Sequence, residues 1–133
     1  MGIAIVDASV VIALLDNEDA HHDRALAALE SCVGYDLRLP VSAYAEALIG
    51  PAKTNHAESA RDRILGFVSS IEPATAAIAE RAAVMRAGKP ALSLADAFVL
   101  ATASYLGAEV VLTTDRALQD VLPSVRVLGR LTN

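Results

Sequence analysis

The chain is a succession of short apolar runs, each stopped by a polar or glycine–proline break, and the spacing of the apolar positions changes from run to run. Ile3 to Val6 is continuously apolar and ends at Asp7-Ala8-Ser9. A run of that length bounded by a polar turn predicts a strand buried on both faces, feeding a helix from Ser9 to Leu15. Asp16-Asn17-Glu18-Asp19 is a polar break. From Ala20 to Cys32 a second helix is expected, with Ala25, Leu26, Leu29 and Val33 at helical spacing and Gly34 placed to close it. Leu37 to Leu39 reads as a second strand ended by Pro40.

Val41 to Ile49 has helical spacing and is expected to stop at Gly50-Pro51, with a loop to His56. Ala57 to Val68 reads as an amphipathic helix with Ile64, Leu65 and Val68 inward, and Ser70 to Glu72 as a brief strand. Thr75 to Ala87 is an Ala-rich helix ended by Gly88-Lys89-Pro90. Ser93 opens a further helix to Tyr105, stopped by Leu106-Gly107. Glu109 to Thr113 is a β-branched strand; Thr114-Asp115 then leads into a short helix to Val121, and Val125 to Leu128 is a last strand. Short apolar strands alternating with helices predict an α/β fold: a three-layer α/β/α sandwich on a central parallel sheet of about five strands. With no repeats, low-complexity tracts or linkers, residues 1–133 are expected to form one domain.

Composition narrows the function classes. The 133 residues are 54% hydrophobic but only 4% aromatic, without Trp. The core is therefore aliphatic, and a base-stacking platform for single-stranded nucleic acid is poorly supplied. Cys32 is the single cysteine, which excludes an internal disulfide and cysteine-based metal sites and suits a reducing cytoplasm. No apolar run approaches a membrane span. Met1-Gly2 lacks the Ser or Thr at position 6 that a myristoylation signal wants, since Val6 stands there. A net charge of −5 opposes a generic nucleic-acid coat.

Four acids change that picture: Asp7, Glu46, Asp96 and Asp115 each sit among apolar or small residues. A buried carboxylate is costly alone and tolerable when a cation neutralises it. If these four hold a divalent ion, the rest of the chain is close to neutral. Asp7 and Asp115 directly follow strands, on the edge where open α/β sheets gather their chemistry. Helix capping is the competing reading for both. Ser93-Leu94-Ala95-Asp96 matches a capping box, and Glu46 misses one by a position and on its own reads as a solvated helix residue. His21-His22 are adjacent helical positions pointing about 100° apart, which disfavours a shared metal. Arg61, Arg63, Arg81, Arg86 and Lys89 are interleaved with acids such as Asp62 and Glu80, so surface pairs are their default.

In four ordered places the sequence resembles the PIN-domain ribonucleases, and among them the VapC-type toxins of toxin–antitoxin pairs. The matching segments are Val6-Asp7-Ala8-Ser9 with the apolar run to Leu15, Ser42-Ala43-Tyr44-Ala45-Glu46, Leu94-Ala95-Asp96-Ala97-Phe98-Val99-Leu100-Ala101-Thr102-Ala103, and Leu112-Thr113-Thr114-Asp115. The resemblance implies a five-stranded parallel sheet between helices and a Mg²⁺- or Mn²⁺-dependent endoribonuclease. It makes Asp7, Glu46, Asp96 and Asp115 the catalytic, metal-binding quartet, with Ser9 and Thr114 as supporting hydroxyls. It also implies an RNA substrate, a cognate antitoxin and a homodimer, while the apolar runs, all too short to span, predict no membrane. Arg116, beside Asp115, is a candidate phosphate contact, with an ordinary surface arginine as its alternative. Two other classes compete. An aspartyl-phosphate phosphatase wants a second Asp where Ser9 stands, and a receiver domain wants adjacent acids and a late Lys, whereas the last is Lys89. A non-catalytic interaction module on the same scaffold needs no metal at all.

Overall fold

The structure is a computed structural model that describes residues 2–129. Its sheet is built from β1 (Ile3–Val6), β2 (Asp36–Pro40), β3 (Ser70–Glu72), β4 (Val110–Thr113) and β5 (Val125–Val127). All five run parallel, in the order β3-β2-β1-β4-β5. Helices α1 (Ala8–Leu15), α2 (His22–Ser31), α3 (Val41–Lys53), α4 (Ala57–Phe67), α5 (Ala76–Gly88) and α6 (Leu94–Leu106) flank it, giving the expected α/β sandwich. The chain begins in the middle of the sheet, builds outward through β2 and β3, then crosses back to β4 on the other side of β1. The strand order therefore reverses between β1 and β4, and at such a switch point the loops leaving two neighbouring strands diverge and open a crevice.

Continuous apolar strands are what a sheet covered on both faces requires. Ala4, Ile5, Val6, Leu39, Val111 and Leu112 are all buried in the main core with Val10, Val11 and Ile64. α6 is apolar around most of its circumference and buries Ala97, Val99, Leu100, Ala101 and Ala103. Its other side meets α5, where Ile78 and Ala82 pack with Leu92, Leu100 and Leu118 in a second cluster. Gly107, at φ +65°, ends α6 in the left-handed conformation that glycine adopts without a side-chain clash. Among the described residues no helix is long and apolar enough to cross a membrane.

The expected and observed elements differ at several points; among them, α2 begins at His22 and not Ala20, and Leu26 is exposed, because that helix buries Ala25 and Ala28. α3 does not stop at Gly50-Pro51 but runs on to Lys53. A proline that late in a helix removes one hydrogen bond. The stop comes instead from Asn55 at φ +59°, a conformation Asn tolerates better than most residues. Val33 is 80% exposed, because α2 ends at Ser31 and helical spacing no longer applies. Leu65 is 49% exposed, since α4 buries a narrow stripe of Ala60 and Ile64. The helix expected to reach Val121 is a single 3-10 turn, Arg116–Leu118.

Candidate active site

Asp7 leaves the end of β1 and caps α1. Its backbone N–H continues the sheet by donating to Leu112 O at 2.9 Å, and Oδ1 accepts the Ala8 N–H at 2.8 Å. Oδ2 accepts two hydroxyls, from Ser9 at 2.9 Å and Thr113 at 2.8 Å. The residue is 5% exposed. Capping and ligation had looked like alternatives for this residue, yet a carboxylate has about four acceptor positions. Three donors leave room for one more partner.

The same hydroxyls tie the first and fourth acidic segments together. Ser9 Oγ accepts the Thr114 N–H at 3.0 Å, and Thr113 Oγ1 accepts the Asp115 N–H at 3.0 Å. The two oxygens are 3.4 Å apart. Ser9 thus stands where a supporting hydroxyl was expected. Thr114 contributes its backbone N–H to that arrangement, and the second hydroxyl on Asp7 belongs to Thr113, which is fully buried. Asp115 then turns the chain by accepting the Ala117 N–H on Oδ1 at 2.9 Å. Sequence reasoning missed Thr113 because a Thr ending a β-branched strand reads as a strand former. The available signal was a hydroxyl at the end of an otherwise apolar strand, two residues before an acid.

Glu46 and Asp96 arrive from helices α3 and α6. Asp96 sits in the first turn of α6, where its N–H donates to the capping Ser93 Oγ at 3.1 Å. Burial is the main force raising its pKa above the ordinary carboxylate value. The Ser93 hydroxyl pulls it down, while the charges of Asp7 and Asp115 and a proton-sharing contact with Asp115 push it up. Glu46 is more open to water, yet desolvation raises its pKa too, followed by the charges of Asp7 and Asp96. Asp7, Glu46 and Asp96 are therefore linked pairwise by like charge, and Asp115 joins them through Asp96, the member with the most links.

Among the described residues no basic side chain forms an ion pair with these four acids. The ion pairs among the described residues join Arg38 to Asp36 and Glu72, Arg61 to Glu58 and Asp62, and His21 to Asp19. Arg63 is spent on the carbonyls of Leu14 and Leu15, and Arg81 on Ser104 Oγ and the Tyr105 ring. Arg116 is exposed at the start of its 3-10 turn, next to Asp115. As the side chains stand, no three His, Cys, Asp or Glu among the described residues converge closely enough to grip a metal ion. The donor set nonetheless fits a hard divalent cation: it is all carboxylate oxygen, lies on one sheet edge and lacks a counter-charge. Asp7 is held by three hydrogen bonds, whereas Glu46 is a long and exposed side chain.

Comparison with known proteins places this geometry in context. The PIN-domain family model matches residues 4–122. Curated proteins give no match. Among solved structures, a toxin–antitoxin complex from Klebsiella pneumoniae is 24% identical, with a TM-score of 0.78 over 96% of this chain and 99% of that one. VapC20 of Mycobacterium tuberculosis, described as a sarcin-ricin loop cleaving toxin, is 21% identical, with a TM-score of 0.70 over 81% and 86%. VapBC2 from Rickettsia felis, bound to a DNA fragment from its promoter, is 14% identical, with a TM-score of 0.77 over 96% and 99%. At these identities the shared property is the fold.

Proposed function

Because the chain belongs to the PIN-domain family, we propose that it is a metal-dependent endoribonuclease, the toxin of a VapBC-type toxin–antitoxin pair. Its substrate is an RNA phosphodiester, and Asp7, Glu46, Asp96 and Asp115 hold Mg²⁺ or Mn²⁺. The observation that carries the reading is that these four acids, from distant segments, are near enough for their charges to raise the pKa values of Glu46 and Asp96, with no basic partner among the described residues. Mutual repulsion of this kind costs stability and persists where a cation is to be bound. The similar folds of VapC20 and of the toxin–antitoxin complexes agree with it. A cognate antitoxin, a homodimer and a cytoplasmic setting belong to the same proposal.

When bound, a divalent cation neutralises charge on the phosphoryl oxygens and lowers the pKa of water. The chain's own contribution is placement. Asp7 is locked by three donors, so its remaining acceptor position points one way. Thr113 and Ser9 bind Asp7 with their protons and the 114–115 backbone with their lone pairs, which fixes the first and fourth acids relative to each other. Asp96 is aimed by the capped first turn of α6. Arg116, exposed beside Asp115, is the candidate contact for a substrate phosphate. The Ser9 hydroxyl is committed to Asp7 and Thr114, which leaves nothing at that position to play the second acid of a phosphatase.

Purified protein is expected to cut a structured RNA with Mg²⁺ or Mn²⁺ present and to stop when the metal is chelated. Asp7→Asn is expected to abolish cutting while the circular dichroism spectrum is unchanged. Cutting by Asp7→Asn at the parent rate would refute the assignment.

A further inference from the structure

We propose that Ser42 is a positioning residue for Glu46, its hydroxyl holding the Glu46 carboxylate turned toward Asp7 and Asp96 when the divalent cation is bound. The inference rests on the metal-dependent reading above and deepens it. Its first support is an anomaly. Ser42 Oγ is closed off from solvent and has no hydrogen-bond partner among the described residues. Native proteins rarely leave a buried hydroxyl unpaired, and where they do, the group commonly serves a bound species or a second conformation. Asp7, Ser9 and Thr113, at the same sheet edge, are by contrast all engaged in hydrogen bonds.

The second support is place. β2 pairs with β1 in the register Ile5↔Arg38, so continuing the ladder sets Pro40 level with Asp7. Ser42 follows in the first turn of α3, at the same sheet edge as the acids. It does not do the work a serine usually does there, because α3 starts at Pro40 with no side-chain cap.

The third support is direction. Side chains on a helix lean toward its N-terminus, and residues four apart share a face. Glu46 therefore extends back over the turn that carries Ser42, and Asp7 and Asp96 are the charges its carboxylate meets. As placed, no three of these acids converge on a metal position. A hydroxyl waiting one turn away gives the inward-turned carboxylate a donor for its second oxygen, as partners behind metal ligands do.

The test separates this role from a structural one. Mn²⁺ is titrated into the parent, Ser42→Ala and Ser42→Thr, with free ion followed by electron paramagnetic resonance, and each protein is melted without metal. Ser42→Ala is expected to weaken Mn²⁺ binding roughly 10–100-fold. Its metal-free melting temperature should hold or rise, because the lost hydroxyl satisfied nothing and Ala favours the helix. Ser42→Thr, which keeps the hydroxyl, should restore binding. Parent-like Mn²⁺ affinity in Ser42→Ala overturns the inference alone, as does a metal-free melting temperature that falls in step with affinity. A parent that binds no Mn²⁺ overturns it together with the metal-dependent nuclease reading.

Discussion

Replacing Thr113 by Val preserves the shape of a fully buried side chain and removes one hydroxyl. That hydroxyl donates to Asp7 Oδ2 at 2.8 Å and accepts the Asp115 N–H at 3.0 Å. A hydrogen bond to a charged acceptor contributes roughly 1.5–3 kcal/mol and a neutral one about 0.5–1.5 kcal/mol. Ser9 cannot take over both, since its oxygen already serves Asp7 and Thr114. The expected loss is about 2–4 kcal/mol, or roughly 6–16 °C in melting temperature for a chain of this size. Thr102→Val is the control. Its buried hydroxyl donates to Phe98 O at 2.7 Å inside α6, and that carbonyl retains its place in the helix, so about 1 kcal/mol or less is expected. Urea unfolding followed by circular dichroism compares the two at equal slope. Should Thr113→Val unfold no earlier than Thr102→Val, the bridge between the first and fourth acids contributes nothing and the account of how they are aligned is wrong.

Ser93→Ala removes the cap of α6 and is expected to cost about 1 kcal/mol. It also removes the hydrogen bond that restrains Asp96, so the Asp96 pKa should climb further, which a carboxyl-carbon NMR titration reads. The pH dependence follows from the raised values at Glu46 and Asp96. A carboxyl whose folded pKa exceeds its unfolded value holds its proton more tightly when folded. Stability therefore falls as pH rises from the ordinary carboxylate range, about 4, through the raised values, and the loss is complete above them. Melting across that range without metal should show this decline. Saturating Mg²⁺ or Mn²⁺ should reverse it on the alkaline side, with about 2.7 kcal/mol gained at a hundredfold excess over the dissociation constant. Equal melting curves with and without metal at neutral pH would contradict cation binding by these acids.

Much of the fold was readable because strands buried on both faces must be continuously apolar, and Ile3–Val6 and Val110–Thr113 carry that signature on their own. Asp7 and Asp115 were legible for the same reason, being the first acids after those strands. Glu46 and Asp96 were not, taken singly: one reads as a solvated helix residue and the other as half of a capping box. What joins them to Asp7 is the tertiary placement of α3 and α6, which no local pattern encodes. The misreadings are local as well. Pro51 looked like a stop because proline removes a donor, but a helix about to end has few donors left to lose. Val33 and Leu65 looked inward because apolar spacing was extended past a helix end in one case and across too wide a face in the other. The orphan hydroxyl of Ser42 depends on three-dimensional surroundings and has no trace in the sequence.

The capping and ligand readings of Asp7 turn out to be two uses of one carboxylate, and Asp7→Asn distinguishes their energies. Asn caps a helix as well as Asp does, so Oδ1 can keep the Ala8 N–H. An Nδ2 in place of Oδ2 meets two hydroxyl oxygens that can accept instead of donate, at the cost of turning their protons away from the site. Against that cost, removing the charge relieves Glu46 and Asp96, both of which Asp7 repels. The two effects oppose each other, so Asp7→Asn is expected to lose far less metal-free stability than a variant that strands the donors. Asp7→Ala, in contrast, strands three donors and should lose roughly 3–5 kcal/mol. Urea midpoints of the two variants without metal, set beside their Mn²⁺ affinities, give the answer. If Asp7→Asn is as damaged in stability as Asp7→Ala, the negative charge itself holds the fold together and Asp7 is a structural acid. If Asp7→Asn folds like the parent yet no longer binds Mn²⁺, the fold has kept at this position a charge that it does not need for itself.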